Sequence, residues 1–112
     1  MAADLVIPLQ TPRSIHLVQA DDIICIQCES YVCDVTLVND TVIPVAKPLC
    51  YYEGILPEAS FVRISRSHII NVKHIVEIRT IDVRKRTCHL SNGEELIISY
   101  RRWPDLKRRI LK

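Results

Sequence analysis

Between Phe61 and Ile75 stand Arg63, Ser65, Arg66, Ser67, His68, Asn71 and Lys73, side chains that donate or exchange hydrogen bonds. Guanidinium and hydroxyl groups of this kind suit phosphate oxygens and base edges, and an arginine matches guanine O6 and N7 together. They are interleaved with Phe61, Ile64, Ile69, Ile70, Val72 and Ile75, which anchor the segment to a core. Donors on a rigid support are what recognition of a groove requires. Two of them have competing roles. Asn71 reads better as a turn-stabilising residue, since Asn bonds nearby backbone groups. Arg63 reads equally well as the partner of a surface acid.

Other chemistries fit less well. Cys25-x-x-Cys28 lacks the second pair that a four-ligand zinc site needs. On a strand, positions three apart also face opposite ways. Ser67-His68 invites nucleophilic catalysis, but strand neighbours face apart, no nucleophile elbow surrounds the serine, and no acid is placed to orient the histidine. With only Gly54 and Gly93, there is no glycine-rich phosphate loop. No enzymatic activity, metal or cofactor is expected. The five cysteines, Cys25, Cys28, Cys33, Cys50 and Cys88, are an odd number beside apolar runs and read as reduced, structural thiols. His16, His68, His74 and His89 read as surface or strand residues.

A net charge of +2 conceals an asymmetry. Residues 1–62 carry two basic residues and eight acids, whereas residues 63–112 carry thirteen basic residues and five acids. The second half thus suits a polyanionic partner, unless the charges interleave in space.

The elements that would position these groups are short. Leu5–Ile7, Ile15–Val18, Ile23–Cys28, Val32–Val38, Val42–Val45, His74–Ile81, Arg86–Leu90 and Glu95–Ser99 read as strands, with Asn39-Asp40-Thr41 and Asn92-Gly93 as hairpin turns. Pro48 to Ile55 reads as a helix whose Leu49, Tyr52 and Leu56 pack on the sheets. Pro104 to Leu111 reads as a second, with Leu106, Ile110 and Leu111 on one side and Lys107, Arg108, Arg109 and Lys112 near its end, where cations are favoured. The 112 residues read as one domain with a core over about 5–112, since domains commonly run to ~100–150 residues. Apolar stretches fall short of the ~20 residues of a membrane helix, and no signal peptide is visible in Met1-Ala2-Ala3-Asp4, so a cytoplasmic protein is expected.

The string Phe61–Ile75 resembles the signature of the LytTR DNA-binding domain family, F-x-R-x-H-R-S followed by two apolar residues, V/I-N-x-[DKR]-[HY]-I. Phe61, Arg63, Arg66, Ser67, Ile70, Asn71, Lys73, His74 and Ile75 match without a gap, and Ser65 stands where the family usually has His. Ile23 to Ser30 is similar to the family's early strand, and Leu49-x-x-Tyr52-Glu53-x-x-Leu56-Pro57 to the helix before the signature. Ser91 to Glu95 and Ile98 to Pro104 are similar to its closing hairpin and final helix. The resemblance implies a mainly β fold, an elongated antiparallel β-sandwich of several small sheets with one or two short helices.

It also implies sequence-specific binding of double-stranded DNA for transcriptional regulation, with loops of the β domain in the major groove. Arg66 and Arg101 fall on base-contact positions. Ser67, Lys73, Arg86, Ser99, Arg102 and Arg63 fall on backbone or supporting positions, and Ser30 and Tyr31 on a third contact loop. Such domains are output modules of bacterial two-component response regulators. The implied partners are a direct-repeat operator, a homodimer or tandem copy on DNA, and a receiver domain or sensor kinase outside this chain, with no membrane. A non-catalytic protein-interaction or ligand-sensing β domain is the competing reading. RNA binding lacks interleaved exposed aromatics that stack unpaired bases.

Overall fold

The run Ile23-Ile24-Cys25-Ile26 shows no apolar–polar alternation, and the fold explains why: the strand is covered on both faces. A computed structural model describes residues 5–111, so Met1-Ala2-Ala3-Asp4 and Lys112 lie outside the described residues. β1 (Val6–Gln10) and β2 (Ile15–Gln19) form a hairpin. β3 (Ile23–Glu29), β4 (Val32–Leu37), β5 (Val42–Val45), β6 (Phe61–Arg63) and β7 (His68–Asn71) form an antiparallel sheet in the order β5-β4-β3-β7-β6. β8 (Ile75–Thr80), β9 (Arg86–Leu90) and β10 (Glu95–Ile98) form a second, in the order β10-β9-β8. The helices are α1 (Leu49–Ile55) and α2 (Trp103–Ile110).

The five-stranded sheet lies between two apolar clusters. One takes Ile23, Ile26, Val35, Phe61 and Ile69 from the sheet, Ile7 and Leu9 from the hairpin, and Leu49 and Tyr52 from α1. The other takes Ile24, Cys25, Val62 and Ile70 from the opposite face, Cys88, Leu90 and Ile98 from the second sheet, and Leu106 from α2. A register shift between Ile23 and Cys25 lets β3 serve both. At ~1.5–3 kcal/mol for each fully buried large side chain, these two layers carry most of the folding drive. The expected sandwich of small antiparallel sheets with short helices is the observed architecture.

Departures are local. Leu111, expected on one side of the second helix with Leu106 and Ile110, lies beyond the end of α2 at Ile110 and is 63% exposed. The cysteines divide. Cys25 and Cys88 are buried free thiols, and burial pushes them up to about 12 and about 11, so both stay protonated. Cys28 faces Cys33 directly across β3 and β4, with their sulfur atoms in contact. Cys50 is exposed on α1 rather than packed in a core. Cys25 and Cys28 enter different clusters, so their side chains diverge as strand geometry requires. No group of residues that could hold a metal occurs among the described residues, and none of their helices is long and apolar enough to cross a membrane.

Candidate nucleic-acid interface

Four loops meet at one end of the molecule. The first is the tip of the β3–β4 hairpin, Ser30-Tyr31, closed by the pairs Glu29–Val32 and Cys28–Cys33. Ser30 has φ 56°, the left-handed value a two-residue hairpin needs at its first central position, and Tyr31 is 87% exposed. The second is the 64–67 loop between β6 and β7. It is tied to the first by the Cys28 N–H, which donates to the Ser67 carbonyl at 2.9 Å. The third leads from β10 into α2 through Ser99, Tyr100, Arg101 and Arg102. The Ser99 N–H donates to the Ile64 carbonyl at 2.7 Å, so loops some thirty-five residues apart share a backbone bond. The Ser99 carbonyl in turn accepts from the Arg102 and Trp103 N–H groups at 3.0 Å each.

The fourth is the turn between β8 and β9. Asp82 Oδ1 accepts from the backbone N–H groups of Arg84 and Lys85 at 2.8 and 2.9 Å, which shapes it. Arg84 lies over the Tyr100 ring at 4.8 Å, and Arg86 over the Trp103 ring at 4.6 Å. These stacks hold the turn against the third loop. Arg84 and Lys85 thereby join the basic end, which the sequence reading missed. The run Arg84-Lys85-Arg86 following an Asp at a turn was the available signal.

Arg66 and Arg101 are both exposed, and neither guanidinium has a hydrogen-bond partner among the described residues. That is the state of a side chain free to meet an external acceptor. Ser67 is half-buried beneath Arg66, and a concavity of about 560 Å³ lined by Ser30, Arg63, Arg66 and Ser67 joins the first two loops. Arg102 is half-buried and lines the cleft between α1, β6 and α2 with Arg63, Asp105 and Arg109. Arg86 is half-buried, its Nε is buried without a partner among the described residues, and its guanidinium faces Trp103.

Two other residues sit elsewhere or act otherwise. Lys73 follows the far end of β7, roughly 13 Å from the 64–67 loop at ~3.3 Å per strand residue, and pairs with Asp21 at 2.8 Å. The structure does not bring it together with Arg66. Asn71 is fully buried: its Nδ2 donates to the Ile23 carbonyl and its Oδ1 accepts from the Lys73 N–H, both at 3.0 Å. It is the local stabiliser its type suggested.

The neighbours Ser67 and His68 were expected to face apart, but Ser67 precedes the strand and its hydroxyl turns back. Ser65 Oγ and Ser67 Oγ lie 3.0 and 3.1 Å from His68 Nδ1, and the Ser67 N–H donates to Ser65 Oγ. Burial holds the ring below its ordinary 6.5, with the Glu94 carboxylate opposing in part. The neutral ring exchanges hydrogen bonds with these hydroxyls through Nδ1, so the network orders the loop. A folded state that disfavours the imidazolium is fully stabilised above pH 6.5 and loses that contribution as pH falls from the unfolded value through the lower folded one. The melting temperature is therefore expected to fall more steeply below pH 6.5 in the parent than in His68→Gln. Parallel curves would contradict this role for His68.

Comparison with known proteins gives the family and the fold. Residues 13–111 match the family model described as the LytTr DNA-binding domain. The chain is 30% identical over 107 residues to the transcriptional regulatory protein LytR of Staphylococcus aureus, covering 96% of this chain and 43% of that protein. It is 32% identical over 75 residues to the sensory transduction protein LytR of Staphylococcus saprophyticus, covering 65% of this chain and 28% of that protein. It thus spans less than half the length of either relative. Its fold is similar to a solved LytTr DNA-binding domain of a putative methyl-accepting/DNA response regulator from Bacillus cereus, with a TM-score of 0.84, 22% identity, and coverage of 99% of this chain and 100% of that one. By its sequence over residues 13–111, the chain belongs to the LytTr DNA-binding domain family.

Proposed function

We propose that this domain binds double-stranded DNA sequence-specifically to regulate transcription, inserting its loops into the major groove. The observation that carries the reading is the pair of exposed guanidiniums of Arg66 and Arg101, unpartnered among the described residues, on two loops that share a backbone hydrogen bond. Arg66 and Arg101 read bases, each suited to a bidentate contact with guanine. Ser67, Ser99, Arg86 and Arg102 flank them and fix register against the phosphates or support the loops, and Ser30 and Tyr31 supply the third contact. Lys73, at the far end, would reach phosphates separately from that surface.

The relatives, described as transcriptional regulatory and sensory transduction proteins, are more than twice the length of the matched part. That supports a receiver or other regulatory domain acting with this one; a cytoplasmic setting and paired copies on a direct-repeat operator complete the proposal.

Selection of duplexes from a random pool is expected to enrich one motif, ideally repeated. Failure to enrich any motif would favour a protein-interaction domain instead. On the enriched duplex, log affinity should fall linearly with log salt, with a slope of about −0.9 per phosphate neutralised. A flat response would remove the electrostatic part of the proposal.

A further inference from the structure

Arg63 ends β6 with its side chain 21% exposed, beneath the loop that carries Arg66. Its guanidinium makes bonds in three directions. Nε donates to the Ser65 carbonyl at 3.1 Å and Nη2 to the Arg66 carbonyl at 2.6 Å. Nη1 donates to Glu53 Oε1 of α1 at 3.1 Å. Two successive carbonyls of one loop are thus caught by a planar fork whose third arm is fixed to a helix. Glu53 neutralises the charge locally, so the pair adds little net attraction for a polyanion. Three of its five N–H groups are thus spent inside the protein, on a side chain that is mostly buried.

We propose that Arg63 and Glu53 are positioning residues: the Glu53–Arg63 clamp sets the backbone from which Arg66 reaches DNA, and Arg63 itself touches no phosphate. This deepens the proposed function and rests on Arg66 being a base contact. A point-charge ammonium lacks the fork and cannot hold both carbonyls and the carboxylate in the same geometry. The consequence runs against simple electrostatics, because an acid becomes necessary for binding a polyanion specifically. Removing it should lower affinity for the operator while leaving or slightly raising affinity for arbitrary DNA.

The test uses the whole chain, a duplex enriched by it from a random pool, and a shuffled duplex of the same length and composition. Arg63→Lys and Glu53→Ala are each expected to lose about tenfold on the enriched duplex, the equivalent of one decade in the binding constant. Binding to the shuffled duplex and its salt slope should stay at the parent value, with a slight gain for Glu53→Ala. Glu53→Gln, which keeps an acceptor oxygen for Nη1, should recover most of the preference that Glu53→Ala loses, and this comparison holds even if Arg63→Lys folds poorly. Equal weakening on both duplexes with the slope reduced by about 0.9 would make Arg63 a phosphate contact and overturn the inference. So would parent-like binding by Arg63→Lys, or equal tightening on both duplexes by Glu53→Ala. Arg66→Ala on the enriched duplex separates the two levels. If it binds like the parent, base reading by Arg66 has failed and the clamp falls with it. If it loses affinity while the clamp variants do not, the clamp alone is wrong.

Discussion

Replacing Arg66 by Ala is expected to weaken binding to the selected duplex by ~1–3 kcal/mol, the value of one good bidentate base contact. At 1.4 kcal/mol per decade this is roughly one to two orders of magnitude in affinity. Because Arg66 is exposed and its guanidinium has no partner within the described residues, the substitution removes nothing from the fold. Stability should stay within about 0.5 kcal/mol of the parent, as for other surface changes. The loss should also be selective, relaxing preference at one base pair while salt-dependent binding to other sequences persists. Arg101→Ala should behave alike at a second position. The Ser99–Ile64 bond couples the two loops, so the losses in the double variant are expected to depart from additivity. Electrophoretic mobility shifts on the selected duplex and its single-base variants give the comparison. Variants that discriminate among these duplexes as the parent does would mean that other residues read the bases.

Leu106→Ala should have the opposite character, a large cost to folding with no contact to DNA. Leu106 is fully buried on α2 and packs into the cluster that Ile24, Val62, Ile70, Cys88 and Ile98 form between the two sheets. Truncating a fully buried leucine costs ~2–5 kcal/mol, from lost transfer energy and the cavity left behind. Against a typical total of about 5–15 kcal/mol, that is enough to leave a marginal fold. Urea denaturation should show a lower midpoint with little change in slope. Binding should fall only in proportion to the unfolded fraction, recovering on cooling towards the temperature of maximum stability. An unchanged midpoint would mean that α2 is not held by this side chain. The two substitutions thus distinguish a residue that reads from one that supports.

Much of this was legible from local patterns. Short β-branched runs separated by Asn-Asp and Asn-Gly turns specify hairpins, because side-chain alternation and left-handed turn residues act over a few positions. Asp40 and Gly93 adopt the positive φ those turns need. The ungapped match from Phe61 to Ile75 identified the family, and the basic bias of the second half pointed to the same kind of partner. Exposure of Arg66 was also foreseeable, since it follows a serine in a polar break between apolar strands.

Register was not legible, and register decides which side chains meet. Sliding one strand by one residue turns every side chain to the other face, and nothing in a linear string states how remote strands align. The tertiary structure alone put Glu53 of α1 against Arg63, and Cys28 opposite Cys33. It also turned Arg86 onto Trp103 and placed Lys73 at the end away from Arg66. The sequence by itself determined that this is a mainly β LytTr domain with two exposed arginines on separate loops, because those properties follow from local pattern and motif. Only the tertiary structure decided that the two loops form one surface, and which neighbours hold Arg66 in place, because those contacts join segments tens of residues apart whose pairing is set by packing on both faces of the central sheet.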